Sequence, residues 1–351
     1  MIILKQIIPI MLFIILVSSS FISTPLFSKD ISKGVNIDIA RKHYSLESLK
    51  KIVQVIHKNN GNYIQLHFSD NENYAIESKF FKKNNETEDC LTKSEIRNLI
   101  NYSNKLNIMV IPDIDLPSHA KAWLEYLKNE NNNLYNDIIS DYSDNTVDFL
   151  NNKKALDISK RQIEEILILF HQPQLKNKQK IVLGGDEVPG GVSHQKEFIN
   201  FMNSLGNYVV KQGYEPQMWN DSITRNGLKT LSTSFSILYW QQKEYNDMEF
   251  SPTVEDFSNE NFNVYNYNAY SLYFLPSPNF NKEDIQEQAD YISWAYEYNK
   301  FNYIDNFYEK VDSQNVKGSM LTFWGENSSS MTQQEILEQE IPLIKQYFQK
   351  N

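Results

Sequence analysis

Four consecutive residues, Gly184-Gly185-Asp186-Glu187, carry the strongest chemical signal in the chain. The apolar stretch Lys180-Ile181-Val182-Leu183 precedes them and predicts a buried strand that delivers two adjacent carboxylates to its C-terminal end. Because side chains alternate along a strand, the two acids are expected to point in different directions and to take different roles. The two glycines are expected to leave room for a ligand near the backbone. The tetrad alone is equally consistent with a structural interpretation, in which a strand is followed by a turn and both acids are solvated.

Eight strand-like segments, most of them separated by a helical pattern, would position this tetrad. The segments span residues 35–39, 63–68, 108–112, 181–183, 216–219, 236–240, 263–267 and 318–324. Amphipathic stretches predict helices over residues 45–59, 92–106, 159–170 and 197–212, whereas 129–152 and 247–261 are predicted as loops, the first with short helices. Strands that alternate with helices indicate a parallel sheet. The chain is therefore predicted to be of the α/β class, with a single (β/α)8 TIM barrel.

The N-terminus is typical of a signal peptide. Lys5 precedes an apolar run over residues 7–17, and three serines follow at 18–20. The run is shorter than the roughly 20 apolar residues that a transmembrane helix needs, although a retained anchor is the alternative. We therefore expect residues 1–28 to be removed and residues 29–351 to form the barrel domain. The mature protein is expected to be secreted or periplasmic, with no membrane association.

Composition excludes several classes of function. The chain has 351 residues, a formal net charge of −10 and 13% aromatic residues, with ample apolar content for a large core. Cys90 is the only cysteine, which excludes an intrachain disulfide, and no cysteine or histidine cluster has zinc spacing. No glycine loop suited to phosphate and no basic patch occurs. We therefore expect no metal, no cofactor and no nucleic-acid partner.

Polar and aromatic residues gather just after the predicted strands, at the end where parallel barrels place their chemistry. They are Asp38, Arg41, His67, Ser69, Asp70, Asp113, Asp115, His119, Asp186, Glu187, Trp219, Asn220, Asp221, Trp240, Asn266, Asn268, Tyr273, Trp324 and Glu326. Packing explains one tryptophan at such a position more easily than the three found here. Aromatic faces with carboxylates suit a sugar, because its C–H face stacks on a ring while its hydroxyls bind carboxylates and arginine.

These motifs together resemble glycoside hydrolase family 20, the β-N-acetylhexosaminidases. The resemblance extends from about Val35 to beyond Glu326. It rests on Asp38-Ile39-Ala40-Arg41, His67-Phe68-Ser69-Asp70, Gly184-Gly185-Asp186-Glu187, Met218-Trp219-Asn220-Asp221, Asn266-Tyr267-Asn268, Leu272-Tyr273 and Trp324-Gly325-Glu326. The chain departs from the family at Val182, where a histidine is common.

The resemblance implies a substrate-assisted mechanism in which the acetamide of the sugar is the nucleophile. Glu187 would protonate the leaving oxygen and then act as base on water. Its pKa is expected to be raised by burial among tryptophans. Asp186 would orient the acetamide N–H, and Tyr273 would hydrogen-bond the acetamide oxygen.

The resemblance also implies a set of substrate contacts. Trp219, Trp240 and Trp324 would wall the pocket for the acetamide and the sugar. Arg41 and Glu326 would hold the outer hydroxyls of the terminal sugar. Asp115 and His119 would support Glu187, although a plain loop role is the alternative, and Asp70 and Asn220 are weaker candidates.

Three functions remain open at this point, and each has an N-acetylglucosamine-containing saccharide as partner. Similarity to a secreted, single-domain family member that degrades biofilm polysaccharide favours hydrolysis of poly-β-1,6-N-acetylglucosamine. The second function is hydrolysis of chitin- or peptidoglycan-derived oligosaccharides. The third is an inactive barrel that only binds sugar. The presence of Asp186, Glu187 and Tyr273 argues against the third, because a binding protein needs no acid.

Overall fold

The computed structural model describes residues 31–81, 90–175, 179–242, 251–302 and 308–350. The predicted signal peptide, residues 1–28, lies outside the described residues. So does most of the 241–250 segment that follows the sixth predicted strand.

Strands and helices alternate along the described chain. The strands are β1 (Ser32–Asp38), β2 (Tyr63–Ser69), β3 (Met109–Leu116), β4 (Lys180–Gly184), β5 (Glu215–Trp219), β6 (Ser236–Tyr239), β7 (Asn263–Asn266), β8 (Tyr273–Phe274), β9 (Lys300–Asn302), β10 (Tyr308–Lys310) and β11 (Val316–Phe323). The helices are α1 (Leu46–Lys58), α2 (Lys93–Lys105), α3 (Lys121–Glu130), α4 (Asn132–Ile138), α5 (Lys153–Leu169), α6 (Gln195–Lys211), α7 (Arg225–Leu228), α8 (Val254–Asn259), α9 (Lys282–Ala295) and α10 (Gln333–Gln349).

Eight of the strands form a closed parallel barrel. Strands β1 to β7 pair in chain order, and β11 pairs with both β7 and β1. Each of the eight coincides with one predicted segment, so the single (β/α)8 barrel is confirmed. Three short strands were not predicted: β8 extends the sheet beside β11, while β9 and β10 form an antiparallel pair.

The hydrophobic residues divide between two layers. The barrel interior is filled by Tyr63, Met109, Ile111, Val182, Trp219, Leu238, Tyr265, Tyr267 and Met320. A larger cluster lies between the strands and the helices, and α1 contributes Leu49, Ile52, Val53 and Ile56 to it. Val182, which departs from the family motif, is therefore part of the interior packing.

The helices begin where the sequence offers capping residues. Thr92 accepts a hydrogen bond from the backbone of Glu95, whose side chain accepts from Thr92 in return, at the start of α2. The same arrangement of Thr253 and Asp256 starts α8, within the segment predicted as a loop. That loop prediction was wrong over Val254–Asn259, because the capping pair and the buried Phe257 stabilise a short helix. None of the helices in the described ranges has the length and hydropathy needed to cross a bilayer.

Helix α10 carries a fully buried acid, Glu340. The hydroxyl of Tyr44 donates a hydrogen bond to Oε1 of Glu340, whereas Oε2 has no partner among the described residues. Burial raises the pKa of Glu340 to about 8. The folded protein therefore holds a proton at neutral pH that the unfolded chain releases.

This raised pKa predicts a pH-dependent stability. A carboxyl whose folded pKa lies above its unfolded value of 4.5 costs stability as the pH rises from about 4.5 towards about 8. The slope contributed by one group approaches about 1.4 kcal/mol per pH unit. Replacing Glu340 by Gln removes this slope, so urea unfolding at pH 5, 6, 7 and 8 should show a flatter profile for Glu340→Gln. The exposed Glu338→Gln on the same helix is the matched control, and parallel profiles for Glu340→Gln and the wild type would contradict the assignment.

Candidate active site

The end of β4 is pressed against the end of β3. Gly184 and Gly185 both have left-handed backbones, with φ of +73° and +91°. A Cβ on Gly184 would lie 2.5 Å from the backbone nitrogen of Leu116, and one on Gly185 would lie 3.0 Å from Met218. The glycines therefore make room for neighbouring protein, which corrects the expectation that they make room for a ligand.

Asp186 and Glu187 converge on one imidazole. Nε2 of His119 lies 3.6 Å from Oδ2 of Asp186 and 3.3 Å from Oε2 of Glu187. The side chain of Glu187 is 61% exposed, whereas that of Asp186 is 18% exposed. The two acids therefore do not point apart as alternation along a strand predicts, because β4 ends at Gly184, before both of them. They differ in exposure but share His119 as a cationic partner.

The pKa values of this trio are set by burial and by each other. Burial alone would lower the pKa of His119, but Asp186 and Glu187 raise it to about 10. Burial raises the pKa of Asp186 to about 6, against the opposing charge of His119. The adjacent His119 lowers the pKa of Glu187. The expected raised pKa of Glu187 is therefore wrong, because this carboxyl is largely solvated and lies beside an imidazolium.

The loop after β2 supports His119 from its other side. Nδ1 of His119 lies 3.3 Å from the side-chain nitrogen of Asn71 and 4.0 Å from Oδ1 of Asp70. Asp70 thus belongs to the group around Glu187 through His119. Asp115 lies deeper, with its Oδ2 3.6 Å from Nε2 of His67.

His67 is a further site residue. It belongs to the motif His67-Phe68-Ser69-Asp70, although the sequence predicts no catalytic or binding role for it. Its Nδ1 lies 3.2 Å from Asp113, and its Nε2 lies 2.9 Å from Asp70. Burial alone would lower the pKa of His67, but Asp115 and Asp113 raise it well above the usual value. The ring also packs edge-on against Trp324.

The same residues have the spacing of a metal site. The ligating atoms of His67, Asp70 and Asp115 lie within 4.8 Å of one another. A metal takes a neutral imidazole, and Asp115 and Asp113 raise the pKa of His67 well above its usual value, so a metal would have to displace the proton of this ring. The arrangement therefore supports a charge network.

Arg41 connects the loops after β1, β2 and β11. Its guanidinium lies 2.9 Å from Asp38, 2.7 Å from Asp70, 3.3 Å from Glu72 and 4.0 Å from Glu326. It also lies over the Trp324 ring. The predicted pair of Arg41 and Glu326 therefore meets at the cavity edge.

Four aromatic rings form a box beside the acids. Trp240 stacks on Tyr273 with a ring separation of 6.2 Å and an interplanar angle of 10°. Tyr273 meets Trp324 edge-on at 5.6 Å, and Trp324 lies 6.3 Å from the fully buried Trp219. The three predicted tryptophans and Tyr273 therefore share one pocket.

Asp221 connects Glu187 to the aromatic box through hydrogen bonds. The sequence predicts no role for this residue. Its Oδ2 accepts from the backbone N–H of Glu187 at 2.6 Å, and its Oδ1 accepts from the indole N–H of Trp240 at 2.9 Å. Burial and the nearby Asp186 raise the pKa of Asp221 to about 7. Asn220 holds the backbone N–H of Trp240 in the same way. The position of Asp221 directly after β5 was the available sequence signal.

One cavity of about 210 Å³ gathers most of these groups. Its lining comprises Arg41, His67, Asp70, Asp115, His119, Asp186, Glu187, Trp219, Trp240, Tyr273, Leu275, Trp324 and Glu326. Every candidate site residue from the sequence except Asn220 is among them. A wider groove of about 640 Å³ along α9 and α10 contains none of these residues.

The shared imidazole yields a direct test by NMR. Because Asp186 is the largest influence that raises the pKa of His119, Asp186→Asn should lower that pKa more than Glu187→Gln does. A proton NMR titration of the histidine ring signals measures both variants and the wild type. A wild-type His119 that titrates near 6.5 would contradict the ion-pair geometry.

Comparison with known proteins agrees with this geometry. The model of the glycosyl hydrolase family 20 catalytic domain matches residues 32–337. The β-hexosaminidase subunit beta of Entamoeba histolytica is 27% identical over 211 residues, which make up 56% of this chain and 36% of that relative. The β-hexosaminidase of Vibrio furnissii is 27% identical over 187 residues, or 46% of this chain and 29% of the relative. The chain thus spans well under two-thirds of the length of these curated relatives.

Solved structures share the fold. Dispersin B superimposes with a TM-score of 0.84 at 24% sequence identity, over 92% of this chain and 99% of dispersin B. The barrel is therefore similar over nearly the full length of that protein. Since the family model covers most of the described residues and its motifs meet in one cavity, this chain belongs to glycosyl hydrolase family 20.

Proposed function

We propose that the protein is a β-N-acetylhexosaminidase that removes N-acetylglucosamine units by substrate-assisted, retaining hydrolysis. One observation carries the proposal: Asp186, Glu187 and Tyr273 line the same aromatic-walled cavity of about 210 Å³. That volume is below the roughly 300–1,000 Å³ of pockets for drug-sized ligands, which suits a single sugar ring. The rest of a longer substrate then lies outside the cavity.

The first chemical step breaks the glycosidic bond. The acetamide oxygen of the bound sugar attacks the anomeric carbon, and the bond to the leaving oxygen breaks as that oxygen takes a proton from Glu187. The product is an oxazolinium ion. Asp186 has the role of accepting a hydrogen bond from the acetamide N–H, since its buried Oδ1 has no partner among the described residues. Tyr273 has the role of fixing the acetamide oxygen.

Glu187 must carry a proton at that moment, although the adjacent His119 lowers its pKa. A sugar in the cavity displaces water from the half-exposed carboxyl, and desolvation raises the pKa of a carboxyl. The imidazolium of His119, 3.3 Å away, keeps its own proton, because the pKa of His119 is raised to about 10. In the second step, water attacks the anomeric carbon, its proton passes to Glu187, and the acetamide is restored.

The role of Glu187 can be tested by leaving-group dependence. Glu187→Gln should lower kcat/KM by about 10²–10⁴-fold on oligosaccharides, whose leaving sugars need a proton. The loss should be much smaller on activated aryl β-N-acetylglucosaminides, because their leaving groups depart without one. Steady-state kinetics on both substrates, with Glu338→Gln as control, provide the measurement. Equal losses on both substrates would exclude Glu187 as the acid.

The role of Asp186 has its own signature. A thiazoline analogue of the oxazolinium ion should inhibit the wild type tightly, and Asp186→Asn should weaken this inhibition. Since the pKa of Asp186 is raised to about 6, kcat/KM should fall below about pH 6 as this carboxylate is protonated. The fall should be absent from Asp186→Asn. Trapping of a covalent glycosyl-enzyme on any carboxylate would refute the acetamide as nucleophile.

An inactive sugar-binding barrel, the alternative function, predicts binding without hydrolysis. Such a protein would bind N-acetylglucosamine in the same cavity but would not release a chromophore from an aryl β-N-acetylglucosaminide. The partly buried Asp186 and the exposed Glu187 beside a protonated His119 favour the enzyme, because a binding site has no use for an acid.

The finer proposal concerns the polymer. We infer that the substrate is poly-β-1,6-N-acetylglucosamine of the biofilm matrix, supported by the sequence similarity to a secreted biofilm-degrading member and by the charge. Removal of residues 1–28 would remove Lys5 and no acid, so the net charge of −10 would become −11. An acidic protein attracts a partly deacetylated, cationic chain over about 8–10 Å at physiological salt. Export by the predicted signal peptide would place the enzyme at such a polymer.

Linkage and salt dependence test this proposal together. Oligomers with β-1,6 linkages should be cut faster than β-1,4 chitin oligomers. Partly deacetylated oligomers should lose kcat/KM as salt rises, whereas neutral ones should change little. Product analysis at low and high salt gives both answers. Faster cleavage of β-1,4 oligomers would replace this substrate with chitin- or peptidoglycan-derived fragments and would leave the enzyme class intact.

A further inference from the structure

An exposed aromatic ring lies just outside the cavity. Tyr142 is 46% exposed, and it lies in the segment between α4 and α5. It does not line the cavity that holds the candidate site. The mechanism above therefore does not use it.

The ring of Tyr142 is held in place. Its hydroxyl and Nε2 of His194 are 2.5 Å apart. A Cβ built on Gly190 would lie 2.9 Å from the ring carbons of Tyr142, so one face of the ring rests directly on the backbone of Gly190. Because Gly190 has a φ of +77° and no side chain, nothing at this position separates the ring from the backbone. The residue is nonetheless 46% exposed to solvent.

Two connections link this ring to the loops that hold the acid. Gly190 follows Glu187 by three residues, which span at most about 10–11 Å of chain. The segment that carries Tyr142 is bonded to the loop of His119, because the N–H of Ala120 donates to the carbonyl of Asn145 and the N–H of Val147 donates to that of Pro117. Both loops that position Glu187 therefore also position Tyr142.

We propose that Tyr142 is the platform for the leaving part of the substrate, and this inference rests on the proposed function. A general acid lies on the side of the leaving oxygen, so the sugar units beyond the cleaved bond must leave the cavity past Glu187. We infer that the ring of Tyr142 lies on that path, because it contacts Gly190, three residues after Glu187, and its segment is bonded to the loop of His119. The C–H face of a sugar stacks on an aromatic ring, and a ring that is already fixed loses little entropy on binding. Tyr142 is thus a specificity-determining residue for saccharide leaving groups.

Binding to a non-hydrolysing form tests the platform directly. In a Glu187→Gln background, the tetramer of N-acetylglucosamine spans the cavity and the ring, whereas the thiazoline analogue fills the cavity alone. Tyr142→Ala should raise the Kd of the tetramer by roughly threefold to tenfold, with the thiazoline Kd within twofold. Tyr142→Phe keeps the ring and should retain most of the tetramer affinity. Trp294→Ala, which removes a 67% exposed ring on α9, should change neither Kd.

The outcomes separate the two proposals. An unchanged tetramer Kd in Tyr142→Ala would overturn the platform, and so would an equal loss of thiazoline affinity, which indicates a structural role. If the wild type hydrolyses no N-acetylglucosaminide but the tetramer Kd still depends on Tyr142, the proposed catalysis fails and the platform stands. If the tetramer does not bind at all, both proposals fail.

Discussion

The balance of buried charge at the top of the barrel is the constraint on which this site depends. Asp70, Asp113 and Asp115 are almost fully buried, and Asp186 lies close to them. Unpaired carboxylates in such a place would be costly, because breaking a buried pair leaves an uncompensated charge. Three cations compensate these charges. Arg41 lies in the loop after β1, His67 lies within β2, and His119 lies in the loop after β3. The geometry of the acids therefore depends on one arginine and two histidines that are far apart in sequence.

This dependence also explains the unequal behaviour of the two adjacent acids. His119 contacts both, yet Asp186 is shielded from water and Glu187 is not. Burial dominates the first carboxyl, and the imidazolium dominates the second. Asp221 fixes the backbone of Glu187 and the ring of Trp240 at once, so that the acid and the sugar-stacking wall keep their spacing. Fixed dipoles and charges of this kind need little rearrangement when charge develops in a substrate.

The barrel and the members of the site were predictable because both follow from local pattern. Apolar segments that alternate with amphipathic ones determine the eight strands, and parallel strands bring the residues after each of them to one end. The pairings within the site were not predictable in this way. His67 meets Asp113 from another strand, and Asp221 meets Glu187 across 34 positions of sequence. The role of Gly184 depends on how closely β3 approaches it, and the ionisation of Glu187 depends on how far water reaches its carboxyl. Both are properties of the folded chain, which a pattern along the sequence does not contain.

The backbone of Glu187 has a further consequence. Its φ of +46° places a residue with a side chain in the left-handed region, which costs roughly 1–2 kcal/mol relative to a glycine that adopts it freely. Selection for the acid therefore opposes selection for stability at this one position. In a lineage that no longer needs catalysis, replacement of Glu187 by glycine would be favoured by folding alone. The strand end that supports an enzyme thus also offers a short evolutionary route to a sugar-binding barrel with the same walls.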